Sequence, residues 1–372
     1  MSNILDQING PQDLKQLSMA ELHGLSEELR NLIMDCVREN GGHLAANLGV
    51  VELTICLHYL FESPRDKIVW DVGHQTYIHK LLTGRKDLFY TLRCMGGLSG
   101  FPKRRESEHD VFETGHSSTS ISAALGMARA RDMAMEDYHV VAVIGDGAMS
   151  GGMALEALND MGHSQEDMLV ILNDNEMSIS KNVGAISTHL SNIRTNKRYL
   201  LFKRGIENVL LKVPLIGKPL ARFVEHLKNT LKYMMIPGII FEEMGLTYMG
   251  PVDGHNIPKL MGAMRHAKEM KGPVLLHVIT HKGKGWAASE INPEQYHSVS
   301  PKKPEDAGKG FSETLGDTLV GMGEIDPRIV AVTAAMPLGT GLAPFGWRFP
   351  TRLFDVGIAE QHAVTMAAGL AA

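Results

Sequence analysis

Cysteine is scarce in this chain, with only Cys36, Cys56 and Cys94 among 372 residues. Their spacing fits neither a metal-ligand set nor an even disulfide framework, which suits a reducing compartment. Each lies in an apolar or helical context, so each is expected to be a small buried side chain rather than a nucleophile. Long apolar runs are missing too. None approaches the ~18 residues of a membrane span, so none is expected to cross one. The opening stretch, MSNILDQINGPQDLKQ, has no basic n-region and no apolar h-region. No secretory leader is therefore expected, and the chain reads as cytoplasmic. Nor is there a strong charge of one sign, since a net −5 gives no overall reason to expect nucleic acid or membrane binding. Hydrophobic residues make up 44% and charged residues 21%, and the length suffices for two domains with sizeable cores.

What the chain does have is strand–glycine–helix units. Residues 140–144 (VVAVI) form an unbroken, β-branched apolar run, the pattern of a buried parallel strand. The run stops at Gly145-Asp146-Gly147, and a helical pattern follows over 149–161. A second apolar run, 168–172, ends in Asn173-Asp174-Asn175. In open α/β sheets ligands sit beyond the carboxyl ends of the strands, so Asp146 and Asn175 are expected to face one crevice. Glycines at such a turn admit a phosphate to backbone N–H groups. Asp146, standing between them, would repel a bare diphosphate. A divalent cation removes the conflict, because Mg²⁺ binds through one or two carboxylates plus substrate phosphates. The dinucleotide pattern G-x-G-x-x-G fits less well, since Ser150 occupies its third glycine position. A plain tight turn is the simpler account of GDG alone. GDG with NDN, Asp146 and Asn175 standing 29 residues apart, favours the metal reading.

That pairing is similar to the thiamine-diphosphate/Mg²⁺ motif. The strings GDGAMSGGMALEALN and DMLVILNDNEMSIS resemble the 1-deoxy-D-xylulose-5-phosphate synthases rather than transketolases or pyruvate dehydrogenases, and the resemblance runs from about residue 40 to the last. It implies Mg²⁺ ligands at Asp146, Asn175 and the carbonyl of Met177, with the diphosphate meeting Gly147 and Ala148. It implies an active-site histidine at His43, in GGHLAANLGVVELT, and a cofactor contact at His74, in DVGHQ. Further cofactor contacts fall on Gly115, His116 and Ser117, just before a helix of small residues whose N-terminus suits an anion. Another apolar strand, 273–279, delivers THKGKGW. Lys282 there is a candidate anion contact. Trp286 stands where the family carries a smaller aromatic and is expected beside the cofactor. His297 matches a second substrate-side histidine.

Glu360, in DVGIAEQH, follows a short strand (352–356) and opens the apolar helix AVTMAAGLAA. Such a carboxyl is expected to be poorly solvated and more readily protonated than in water. The resemblance makes it the glutamate that hydrogen-bonds the cofactor's aminopyrimidine and favours its imino form. The implied reaction condenses pyruvate with D-glyceraldehyde 3-phosphate to give 1-deoxy-D-xylulose 5-phosphate and CO₂. His43, His74 and His297 would handle protons and oxygens, and a homodimer is implied as well.

The expected organisation is a doubly wound parallel-sheet α/β domain over 1–309, bearing a basic insertion at about 181–240, then the start of a second α/β domain over 310–372. Ser18 with Glu21 forms a capping box opening a helix to about Arg38. Residues 94–109 read as a surface loop, 248–256 as a turn-rich return and 298–309 as a linker. Over 181–235 eleven Lys/Arg stand against two Glu. This stretch reads as a mobile flap over the site, with a basic amphipathic surface for membranes or acidic partners as the alternative. Two strands and two helices do not cover both faces of a parallel sheet, so 311–372 is expected to be a domain cut short and the chain inactive by itself. Two other readings stand beside this one: the N-terminal subunit of a split transketolase-type enzyme, and a non-enzymatic binding module built on the basic stretch.

Overall fold

The computed structural model describes residues 3–177, 183–195, 238–301 and 308–372. Helix α1 (Met19–Asn40) starts at the expected capping box: Ser18 Oγ accepts from the Glu21 N–H, and Glu21 accepts from the Ser18 N–H at 2.8 Å. There follow α2 (Val51–Leu60), β1 (Lys67–Trp70), α3 (Tyr77–Lys80), α4 (Ser120–Met133), β2 (Val140–Gly145), α5 (Gly152–Ser164) and β3 (Met168–Asp174). Then come α6 (Ala185–Thr195), β4 (Thr247–Asp253), α7 (Ile257–Glu269) and β5 (Pro273–Ile279).

These five strands form one all-parallel sheet in the order β1-β2-β3-β5-β4. Successive side chains on a strand point to opposite faces, and both faces are covered. Val141, Val143, Leu169, Ile171 and Leu276 pack with the buried sides of α1, α2 and α7. Val140, Ala142, Ile144, Val170 and Leu172 pack with α4 and α5. Each such side chain contributes about 1.5–3 kcal/mol by leaving water, which is why these strands read as continuous apolar runs. The architecture is the doubly wound α/β fold expected from the sequence.

Three local expectations fail. Residues 248–256 are not merely a turn. They contain most of edge strand β4, which pairs with β5 and shifts register between Met249 and Val252. Gly250-Pro251 reads as a turn in sequence, but an edge strand tolerates proline at an irregularity. Residues 94–109 are not simply a surface loop, because Glu106 and the adjoining Asp110 bind inward to Lys80 and Arg85. Cys94 is exposed, whereas Cys36 and Cys56 are buried; burial raises the Cys36 thiol to about 11, well away from nucleophilic use.

A second sheet belongs to the end of the chain. Between α8 (Phe311–Ile325) and α10 (Glu360–Ala371) lie β6 (Ala331–Thr333), α9 (Ala343–Arg348) and β7 (Leu353–Asp355), and β6 pairs with β7 in parallel. Its core is the small cluster of Ala331, Leu342 and Phe345. Helix α10 buries none of its residues. The basic run 181–235, apart from 183–195, lies outside the described residues, as does 302–307 of the expected linker. Among the described residues no helix is long and apolar enough to cross a membrane.

Candidate active site

Four strands of the large sheet end side by side, and each passes directly into a polar residue. β1 leads to Asp71, β2 to Asp146, β3 to Asn175 and β5 to Thr280. A cavity of about 370 Å³ opens beyond these ends, within the usual size range of a small-molecule site. Most of the expected site residues line it: His43, His74, Gly115, His116, Ser117, Gly147, Ala148, Asn175, Met177, His297 and Glu360. Trp286 does not. Its ring is an edge partner of Tyr296 at 4.6 Å and lies under the Arg38 guanidinium, so the expectation that it sits beside the cofactor is corrected. Gly283 and Gly285, at φ +82° and +89°, turn the chain away between Lys282 and Trp286. Lys282 remains in the cavity wall.

Asp146 itself is not among the lining residues, although Gly145 and Gly147 on either side of it are, and it is 3% exposed. Burial, reinforced by the neighbouring Asp174 carboxylate, pushes its carboxyl well above the usual range, although the Asn175 and Glu176 N–H groups bond to it. Asp174 is held below that range, against its burial, by the hydrogen bond to His277 at 2.8 Å. Asp146 is therefore a buried acid beside another acid, an arrangement that a cation would stabilise. The Asn175 side-chain oxygen, next along, accepts the Met177 N–H at 3.1 Å. Asp146 and the Asn175 side chain carry oxygen atoms, the donor type that Mg²⁺ prefers, and Asn175 and Met177 both line the cavity. Among the described residues no group of three His, Cys, Asp or Glu is placed to hold a metal ion.

Opposite this end, His43, His74 and His297 form a triangle, with ring centroids 5.3–5.6 Å apart. Burial is the main cause that lowers all three: His43 falls to about 4, and His74 and His297 lie well below the ordinary value. All three are neutral at pH 7. The Nδ1 atom of each is buried with no hydrogen-bond partner, so none of the three imidazoles is fully satisfied by the protein. Burial also lowers Lys282, to about 8, with Asp146 opposing the shift. At pH 7 Lys282 remains mostly cationic.

Glu360 reaches the cavity from the second sheet, 3.3 Å from His116 Nε2. The desolvation expected of it is not seen: its side chain is 46% exposed, and among the described residues none of α10 is buried.

Several residues that the sequence did not single out fix this geometry. The buried Asn47 amide donates to the carbonyls of His43 and His74, at 2.6 and 2.8 Å, and its oxygen accepts the Tyr77 N–H. Asp71 accepts the N–H groups of Ser118 and Ser120, drawing the 115–118 turn to the end of β1. Phe101, from the supposed surface loop, lies edge-on to His43 at 5.6 Å. Only an acidic residue at a strand end, as at Asp71, was a usable sequence signal. Val72, Ser118, Glu176 and Ala335 adopt positive φ around the site. Such backbone is worth about 1–3 kcal/mol of local strain each and concentrates at functional sites.

The chain is similar in sequence and in fold to known proteins. Residues 5–280 match the family described as 1-deoxy-D-xylulose-5-phosphate synthase, and residues 309–372 match the transketolase pyrimidine binding domain. The 1-deoxy-D-xylulose-5-phosphate synthase of Desulforudis audaxviator is 57% identical over 374 residues, covering 99% of this chain and 59% of that protein. The enzyme of the same name from Heliobacterium modesticaldum is 55% identical, covering 100% of this chain and 58% of its own length. The chain thus spans about three fifths of these relatives. In fold it is similar to the transketolase of Campylobacter jejuni (TM-score 0.56, 16% identity, 95% of this chain and 64% of that one). It is also similar to that of Leishmania mexicana (TM-score 0.54, 16% identity, 93% and 62%). With the family match covering most of its residues, the chain belongs to the 1-deoxy-D-xylulose-5-phosphate synthase family.

Proposed function

We propose that the cavity binds thiamine diphosphate with Mg²⁺, and that the chain supplies the diphosphate side of a site condensing pyruvate with D-glyceraldehyde 3-phosphate to 1-deoxy-D-xylulose 5-phosphate and CO₂. The observation that carries this reading is the convergence at neighbouring strand ends of a buried, cation-seeking Asp146 with Asn175 and Met177. Gly147, Ala148 and Lys282 stand in the same cavity wall. Asp146, Asn175 and the Met177 carbonyl would hold Mg²⁺. Lys282 and the turn at Gly115, His116 and Ser117 would meet anionic groups. Bound there, thiamine diphosphate supplies the electron sink that decarboxylation of a 2-oxo acid requires.

The chain's own side chains set the rest. Neutral His43, His74 and His297 offer both a donor and an acceptor nitrogen to substrate oxygens without adding charge. Among the described residues Glu360, 3.3 Å from His116 Nε2, is the one carboxyl that reaches the cavity wall from the second sheet, and its role would be to hydrogen-bond the cofactor's aminopyrimidine. The exposed apolar side chains of the second sheet's helices, among them Phe311, Trp347 and Val364, support self-association into a homodimer, which sedimentation velocity checks. The deciding experiment is calorimetric titration of thiamine diphosphate with and without Mg²⁺. Binding should require the metal, and Asp146→Ala should weaken it by about 100-fold, as much as the larger losses seen when metal sites lose a supporting group. Metal-independent binding, or binding unchanged in the variant, overturns the assignment.

A further inference from the structure

The turn that presents Lys282 is gripped on both sides by one buried carboxylate. Glu52, on α2, accepts two hydrogen bonds from Arg30 Nη2, at 2.6 and 2.7 Å, and one from His255 Nδ1 at 3.0 Å. Arg30 Nε then donates to the Lys284 carbonyl at 3.1 Å. His255 Nε2 accepts the His281 N–H at 2.8 Å. The anchors fall on the residue before Lys282 and on the second residue after it. His255 must carry its proton on Nδ1, since Nε2 is the acceptor. The glutamate thus orients both partners at once, as a carboxylate behind a histidine orients a metal ligand. The grip is close: a Cβ on Gly285 would come within 2.8 Å of Arg30 Cδ.

We propose that Glu52 is a positioning residue that acts through Arg30 and His255 to clamp the 281–284 turn and so hold Lys282 in the cavity wall for an anionic ligand. The part concerning the ligand rests on the function proposed above; the clamp itself does not. No residue of the Arg30–Glu52–His255 set lines the cavity, so their influence on binding must pass through the turn.

Two readouts test this. In ligand-free protein, Glu52→Gln should speed hydrogen exchange at the His281 amide at least tenfold. The Thr280 amide, which donates to the Asp174 carbonyl at 2.9 Å, should stay as slow as before. Equal acceleration at both amides would reveal general loosening and overturn the proposal, as would no change at His281. For binding, magnesium pyrophosphate serves as the probe. Glu52→Gln should weaken it about tenfold, the usual loss when an outer-shell partner is removed. In a Glu52→Gln, Lys282→Met double variant the affinity should match Lys282→Met alone, because the two act along one route. Additive losses contradict the proposal. Should Glu52→Gln fail to fold, Arg30→Met with Glu52→Met leaves no uncompensated buried charge and takes its place. If wild-type protein binds neither pyrophosphate nor thiamine diphosphate, the proposed function falls, and the exchange experiment still decides the clamp.

Discussion

Asp146 and Glu360 occupy comparable places, each an acid just beyond a parallel strand and next to a helix, yet they live in different surroundings. Asp146 stands on a sheet with helices on both faces and is almost completely enclosed. Glu360 stands on a two-stranded sheet whose following helix buries nothing, and its side chain keeps nearly half its exposure. The same residue class at the same kind of turn therefore has no fixed character. What sets a carboxyl's behaviour is how many layers lie over it, because burial penalises the charged form and water relieves that penalty.

The comparison predicts that perturbations matter in the first region and fade in the second. The largest effect belongs to the buried network behind the site, where Asp110 accepts from Arg85 through both oxygens and from His79 at 2.8 Å. Asp110→Ala takes from that buried cation its nearest carboxylate, leaving only Glu106 at 3.7 Å, and should lower unfolding free energy by about 3 kcal/mol in urea. A loss under about 1 kcal/mol would mean the network is solvated after all. Acid comes next. Burial lowers His43 and His79 from 6.5 to about 4 in the fold. Between those values the unfolded chain binds protons that the folded chain refuses, so stability is full above pH about 6.5 and declines as pH falls toward about 4. Each group contributes on the order of 3 kcal/mol to the decline. A denaturation midpoint constant across that window would refute the assigned burial.

Smaller effects sharpen the contrast. Ile171 is fully buried at the centre of β3, and Ile171→Val should remove about 1 kcal/mol. Val364 on α10 is 73% exposed, so Val364→Ala should shift stability by less than about 0.5 kcal/mol. If the α10 change matched the β3 change, that helix would be covered in solution, and a dimer interface would be the first place to look.

Residue types and their periodicity determined much on their own. The runs at 140–144 and 168–172 marked central parallel strands, because only strands covered on both faces can be apolar at every position. Asp146 and Asn175 at their ends marked the crevice where a ligand is expected, whereas His43, His74, Gly115 and His297 were pointed to by the resemblance of short strings to a known family and not by periodicity. Other matters were settled only when distant segments met. Asn47 joining two histidine backbones, Phe101 against His43 and Glu52 holding the Lys282 turn involve partners brought together across the fold, with no local pattern to announce them. Trp286 packing against the main core beside Tyr296, and Glu360 staying wet, were likewise decided by packing. Chain order fixes which groups exist and where a strand must stop; burial and pairing, which give those groups their charge and direction, are properties of the assembled layers.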